Sequence, residues 1–104
     1  MASKKSSTSF QDLINGEQPV LIDFYADWCG PCKAFAPILE QLKNDLGDKA
    51  RIIKIDVDRN QELSQALKVQ SIPTVMIFQN GDLKFRGAGV QPASRLKQEI
   101  EALV

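Results

Sequence analysis

Apolar side chains recur along this chain in two rhythms, and the switches between them lay out its elements. Behind Ser7 and Thr8, either of which is placed to cap a helix, Phe10, Leu13 and Ile14 fall at helical spacing, and Gly16 ends that short segment. Val20 to Tyr25 (VLIDFY) is near-continuously apolar and broken only by Asp23, the pattern of a strand buried on both faces. Phe35, Ile38, Leu39, Leu42 and Leu46 return to the helical rhythm, with Gly47 where a left-handed C-cap belongs. Arg51 to Val57 (RIIKIDV) is a second strand, and the helical crossover before it makes it parallel to the first. Asn60 is placed to cap a short helix carrying Leu63, Ala66 and Leu67 inward. Thr74 to Phe78 and Leu83 to Arg86 flank Asn80-Gly81, a strong signal for a tight hairpin. A last helix from about Pro92 buries Leu96, Ile100 and Leu103.

The predicted order is therefore α-β-α-β-α-β-β-α. Two parallel strands, an antiparallel pair and helices enough for both faces make an α/β protein, a three-layer α/β/α sandwich on a mixed sheet. Residues 10–104 read as a single domain and residues 1–9 as a flexible, solvated tail.

Charge narrows the partners. Thirteen Lys and Arg balance thirteen Asp and Glu in 104 residues, so no basic footprint marks a surface for nucleic acid or anionic lipid. No run approaches the ~18 apolar residues of a membrane span. The lysines at positions 4 and 5 are not followed by an apolar stretch, so a reducing cytoplasm is the expectation; a monomer is expected as well. The chain also has no histidine, which removes His-based triads and most zinc and haem sites. Its chemistry must rest on carboxylates, lysines or its two cysteines.

Those cysteines lie three residues apart in Trp28-Cys29-Gly30-Pro31-Cys32, at the junction of the first strand and the long helix. A purely structural disulfide is a weak reading, because closing a loop of ~4 residues gains only about 2 kcal/mol. Half a zinc site is weaker still: two thiolates need two further ligands, and there is no third cysteine and no histidine. Two spectator cysteines in one tight turn would be a coincidence. Redox catalysis fits best, since a helix N-terminus stabilises a thiolate through free N–H groups and the positive end of the dipole. On that reading Cys29, at the helix end, is the exposed attacker, and Cys32, nearly a turn further in, is the shielded resolver. Gly30 keeps the turn tight, and Pro31 suits a first helical turn, where a missing N–H costs nothing.

The string Asp27-Trp28-Cys29-Gly30-Pro31-Cys32-Lys33 on a strand–helix junction resembles the thioredoxin family. The likeness runs from about Phe10 to Val104 and takes in Asp23, Pro37, Lys54, Ile72-Pro73, Gly81 and Gly89. It implies a small dithiol reductant of client proteins' disulfides with no bound cofactor. Its Cys29–Cys32 disulfide would be recharged with electrons from NADPH by a flavin enzyme, a thioredoxin reductase. Members of the family usually open with an apolar edge strand that residues 1–9 are too polar to supply, so the sheet is expected to have four or five strands. Tyr25, Ala34 and Ala88 also depart from the commoner side chains, which bears on partner preference and not on the chemistry.

Each supporting residue has a plain alternative. Asp23 is either a satisfied polar group or, as the resemblance implies, a desolvated general base that takes the Cys32 proton. Lys54, on the neighbouring strand, is its partner or a snorkelling surface lysine. Trp28 is core or part of a docking surface beside the thiol. The Ile72-Pro73 bond is strand punctuation or, by resemblance, a cis peptide facing the dithiol, with the Ile72 backbone free to pair with an extended substrate. Gly89 is a turn or leaves room for substrate backbone, with Ala88 beside it in the docking surface. Asp27 and Lys33 read as solvated charges. Asp56, Asp58 and Glu62 lack the spacing of a calcium loop, so no metal is expected. Two rivals to the reductant remain: a disulfide-forming or isomerising oxidant of the same fold, and a binding subunit whose dithiol is idle.

Overall fold

In a computed structural model describing residues 9–104, four helices flank a mixed sheet. The order is α1 (Phe10–Ile14), β1 (Val20–Tyr25), α2 (Gly30–Leu46), a 3₁₀ turn (Gly47–Lys49), β2 (Arg51–Asp56), α3 (Gln61–Ala66), β3 (Thr74–Gln79), β4 (Asp82–Ala88) and α4 (Ala93–Glu101). Among the described residues the sheet has four strands in the order β2-β1-β3-β4. β1 runs parallel to β2 and antiparallel to β3, and β3 pairs antiparallel with β4. This is the expected α/β/α sandwich. The tail expected at residues 1–9, and any edge strand there, lies outside the described residues except for Ser9.

Alternation along β1 divides the core. Leu21 faces α2 and α4, where Phe35, Leu39, Leu42, Leu96 and Ile100 bury around it. Ile22 and Phe24 face the other way, into Ile14, Met76 and Phe78, with Leu13 of α1 and Leu63 of α3 packed over them. Phe10 closes that side edge-on against Phe78, with ring centroids 5.5 Å apart.

Several local expectations are corrected. The Ser9 hydroxyl caps α1 by accepting from Asp12 N at 3.2 Å, in place of Ser7 or Thr8, which lie outside the described residues. Gly47 has positive φ (56°), but its ψ of −127° falls outside the left-handed helical region, and the chain continues into the 3₁₀ turn. β2 ends one residue early, at Asp56. Asn60 occupies the N-cap of α3 without capping through its side chain, which instead donates to the Asp56 carbonyl at 2.9 Å. Within α3, Ala66 is exposed and Ser64 is the residue fully buried, its hydroxyl donating to the Asn60 carbonyl at 2.8 Å. A serine tolerates that site because the helix backbone satisfies its one donor. The hairpin is as expected: Asn80 (φ 53°) and Gly81 (φ 82°) connect Gln79 directly to its pairing partner Asp82.

Candidate active site

The candidate centre grows out of the C-terminal end of β1. After Tyr25 the chain turns through Ala26 to Cys29, whose N–H donates to the Ala26 carbonyl at 3.2 Å. Cys29 is extended (φ −87°, ψ 112°) and serves as the N-cap of α2. Its Sγ accepts from the Cys32 backbone N–H at 3.2 Å, the bond a serine or aspartate side chain makes at an ordinary cap. Gly30 and Pro31 begin the helix, and Cys32 completes its first turn. A disulfide joins Cys29 and Cys32, with their Cα atoms 5.3 Å apart.

Burial does not separate the two cysteines in the way expected. Cys29 is 3% exposed and Cys32 6%, so neither is an open thiol in the oxidised state. Position separates them instead. Cys29 Sγ sits at the helix end, where α2 presents its unpaired N–H groups, and lies 3.7 Å from the Ile72 carbonyl oxygen. Cys32 lines a cleft with Tyr25, Lys33, Ala36 and Lys54, on the side of α2 that faces β2.

Asp23 lies beneath this turn. It is 1% exposed and shares a face of β1 with Leu21, which packs on the body of α2, and with Tyr25, which packs on the cysteine pair. That placement puts the carboxylate under the N-terminal end of α2. Its Oδ1 has no hydrogen-bond partner among the described residues. Desolvation is the main effect on its titration, and the Lys54 charge only partly offsets it; the pKa rises from the ordinary 3.8 to about 6. Lys54 is the register partner of Asp23 across β1 and β2, yet among the described residues the two form no ion pair. The Lys54 side chain is exposed, and its ammonium lies over the Tyr25 ring, 4.5 Å from the centroid.

Around the disulfide the surface is partly apolar. Trp28 is 70% exposed, and its indole Nε1 donates to Asp58 Oδ2 at 2.8 Å. By sequence alone the only apparent use of Asp58 is a metal site. The topology links it to Trp28: Trp28 follows β1 as Asp58 follows the parallel β2, so the two loops emerge side by side at the carboxyl ends of the strands. Gly30 and Pro31 are exposed at the helix start, as are Asp27 and Lys33 beside them. The Ile72-Pro73 peptide is cis, Ile72 packs against Ala26 and the cysteines, and the Pro73 carbonyl accepts from Gly89 N at 2.8 Å. Gly89 has φ of 85°, a conformation that favours glycine, and the exposed Ala88 beside it pairs with Thr74.

The family model described as Thioredoxin matches residues 2–102. The chain belongs to the thioredoxin family. It is 42% identical over 100 residues to the thioredoxin of Bacillus subtilis, covering 96% of each chain. It is 41% identical to a thioredoxin-like protein of Synechocystis over the full length of both. A chloroplastic thioredoxin Y of rice is also 41% identical over 97% of this chain, but the chain spans only 61% of that relative's length. Among solved structures, a mutant thioredoxin from Halobacterium salinarum superposes with a TM-score of 0.82 at 38% identity, covering 95% of this chain and 86% of that one. Family membership together with the Cys29–Cys32 pair makes this a dithiol–disulfide redox protein that needs no bound cofactor for its chemistry. Among the described residues no helix is long and apolar enough to cross a membrane, and no cluster of side chains is suited to a metal ion.

Proposed function

We propose that this protein is a general reductant of protein disulfides, with Cys29 as nucleophile and Cys32 as resolving thiol. The observation that carries the reading is Cys29 Sγ at the N-terminus of α2, 3.7 Å from the Ile72 carbonyl. The helix end favours the thiolate, and the adjacent backbone offers an extended client segment a strand-like partner. The Cys29 thiolate attacks one sulfur of a client disulfide, forming a mixed disulfide and releasing the first client thiolate. Asp23, ionised above about pH 6, takes the proton of Cys32. The Cys32 thiolate then attacks Cys29 Sγ, closing the 29–32 disulfide and releasing the second client thiolate. Two electrons pass to the client, and a thioredoxin reductase, a flavin enzyme drawing on NADPH, returns them.

In this reading Trp28, Gly30, Pro31, Ile72, Pro73, Ala88 and Gly89 receive the client, and Lys54 tunes Asp23. The protein works as a monomer in a reducing compartment, the cytoplasm. Direction is the decisive point. The stretch between the cysteines is Gly30-Pro31, which adds no charge to stabilise a thiolate further, so the disulfide should resist reduction by glutathione. Equilibration across glutathione ratios, with the dithiol fraction read from Trp28 fluorescence, tests this. A protein mostly dithiol in mildly oxidising buffer would make it an oxidant instead. Partner binding left intact by Cys29→Ser would make it a binding subunit.

A further inference from the structure

Arg86 stands outside every element of the mechanism, yet its guanidinium is tied down. Nη1 donates to the Leu67 carbonyl at 2.7 Å, and Nη2 donates to the Lys68 carbonyl at 2.8 Å. Among the described residues it forms no ion pair; besides the two carbonyls, its Nη1 reaches only the Met76 sulfur, at 4.0 Å. The carbonyls belong to Leu67 and Lys68, the two residues that follow α3. Lys68 N bonds to Gln65 O at 3.0 Å and Val69 N to Ser64 O at 2.9 Å, with Lys68 in positive φ (58°). That pairing satisfies the carbonyls of Ser64 and Gln65 in the usual two-bond helix stop, with a lysine where glycine is preferred. The exposed carbonyls of Leu67 and Lys68 then meet a fork of two donors carrying a positive charge, at the negative end of the helix.

The position of Arg86 in the sheet gives the clamp its consequence. Arg86 pairs in register with Met76 of β3, two residues beyond Thr74. One side chain thus fixes where the segment 69–73 leaves α3, from the strand that aligns where the segment enters β3. At the far end of that segment is the Ile72 carbonyl, 3.7 Å from Cys29 Sγ. We infer that Arg86 is a positioning residue: by pinning the end of α3 to β4 it sets the place of the Ile72 backbone, and so the engagement of polypeptide disulfides. The inference rests on the proposed reductant function and adds a basis for client selection to it. A client that pairs its backbone with Ile72 depends on the clamp. A small disulfide that touches only sulfur does not.

Single-turnover oxidation of the pre-reduced protein, followed by Trp28 fluorescence, separates these cases. Arg86→Met should slow oxidation by insulin about tenfold, because small misplacements of a binding surface carry penalties of that order or more. Oxidation by 5,5′-dithiobis(2-nitrobenzoate) should change by less than about twofold. Arg86→Lys keeps the charge but cannot fork to two carbonyls, so it should fall between wild type and Arg86→Met with insulin. Equal slowing with both disulfides, no slowing with either, or complete rescue by lysine would overturn the proposal. Amide exchange reads the clamp without any client: Arg86→Met should speed exchange at residues 69–72 and leave β1 unchanged, and uniform exchange changes would overturn it. A wild-type protein inert toward insulin but active toward the small disulfide would instead defeat the reductant reading, with amide exchange still deciding the clamp. Should Arg86→Met fail to fold, Arg86→Lys carries both measurements.

Discussion

The two faces of β1 are built to different standards. Val20, Ile22 and Phe24 enter an apolar core with Ile14, Ile55, Met76 and Phe78. On the other face Leu21 is equally well packed, but two residues later Asp23 buries a carboxylate with an unpartnered oxygen, and Tyr25 meets the cysteine pair. One strand therefore carries both a stability face and a face on which stability is surrendered near the disulfide. Burying a carboxylate without full pairing is unfavourable, and the raised pKa of Asp23 measures that cost. On the proposed mechanism the cost holds a proton acceptor under Cys32.

The largest expected effect is on chemistry alone. Cys29→Ser should abolish turnover and trap no client, whereas Cys32→Ser should accumulate mixed disulfides through Cys29. Alkylation of the reduced protein near neutral pH should mark Cys29 first, and a peptide map with Cys32 modified first would reverse the roles. On the apolar face, Phe24→Ala should destabilise the fold by about 3–5 kcal/mol in urea titrations. The rate at which Cys29 is captured by a small disulfide should stay near wild type in the fraction that remains folded. A large drop in that rate would mean the two faces are not separable.

Asp23→Ala should act in the opposite sense. Because the folded pKa lies above the unfolded one, the wild-type fold loses stability as pH climbs from about 3.8 to about 6, and the penalty is complete above that. The shift corresponds to about 3 kcal/mol. The variant lacks this loss, so its stability relative to wild type should grow across that window and level off above it. Resolution of the mixed disulfide should slow near neutral pH. A stability difference that does not vary with pH, or a variant less stable at pH 8 with unchanged turnover, would end the account of Asp23 as a desolvated base. The smallest effect belongs to Lys54→Met. Removing a charge that lowers the Asp23 pKa should move the pH midpoint of resolution upward, as a stopped-flow pH profile would record.

Much of this was legible in the chain because it depends on near neighbours. The helical rhythm of Phe35, Leu39, Leu42 and Leu46, the apolar run of β1 and the positive φ demanded at Asn80-Gly81 are decided within a few residues. The same is true of the dithiol, since the spacing of Cys29 and Cys32 at a strand–helix junction places one at the cap and the other in the first turn. Asp23 announced itself by breaking an apolar run. Where local reading failed, the deciding contacts came from elsewhere in the chain. Ser64, and not Ala66, is buried in α3 because the packing of the helix on the sheet, not its sequence, chose the face. The equal burial of the two cysteines follows from Ala26 and Ile72 closing over both.

What the sequence determined by itself is thus the set of elements, their order and the kind of chemistry, since periodicity, capping and turn preference are properties of short stretches. What only the tertiary structure decided is how that chemistry is surrounded. Asp58 holds the Trp28 indole across 30 residues of chain, the Ile72 carbonyl reaches Cys29 across 43, and Arg86 grips the end of α3 from a strand 18 and 19 residues further on. Desolvation and hydrogen bonding depend on which groups meet in space, and no local pattern encodes a meeting between segments so far apart.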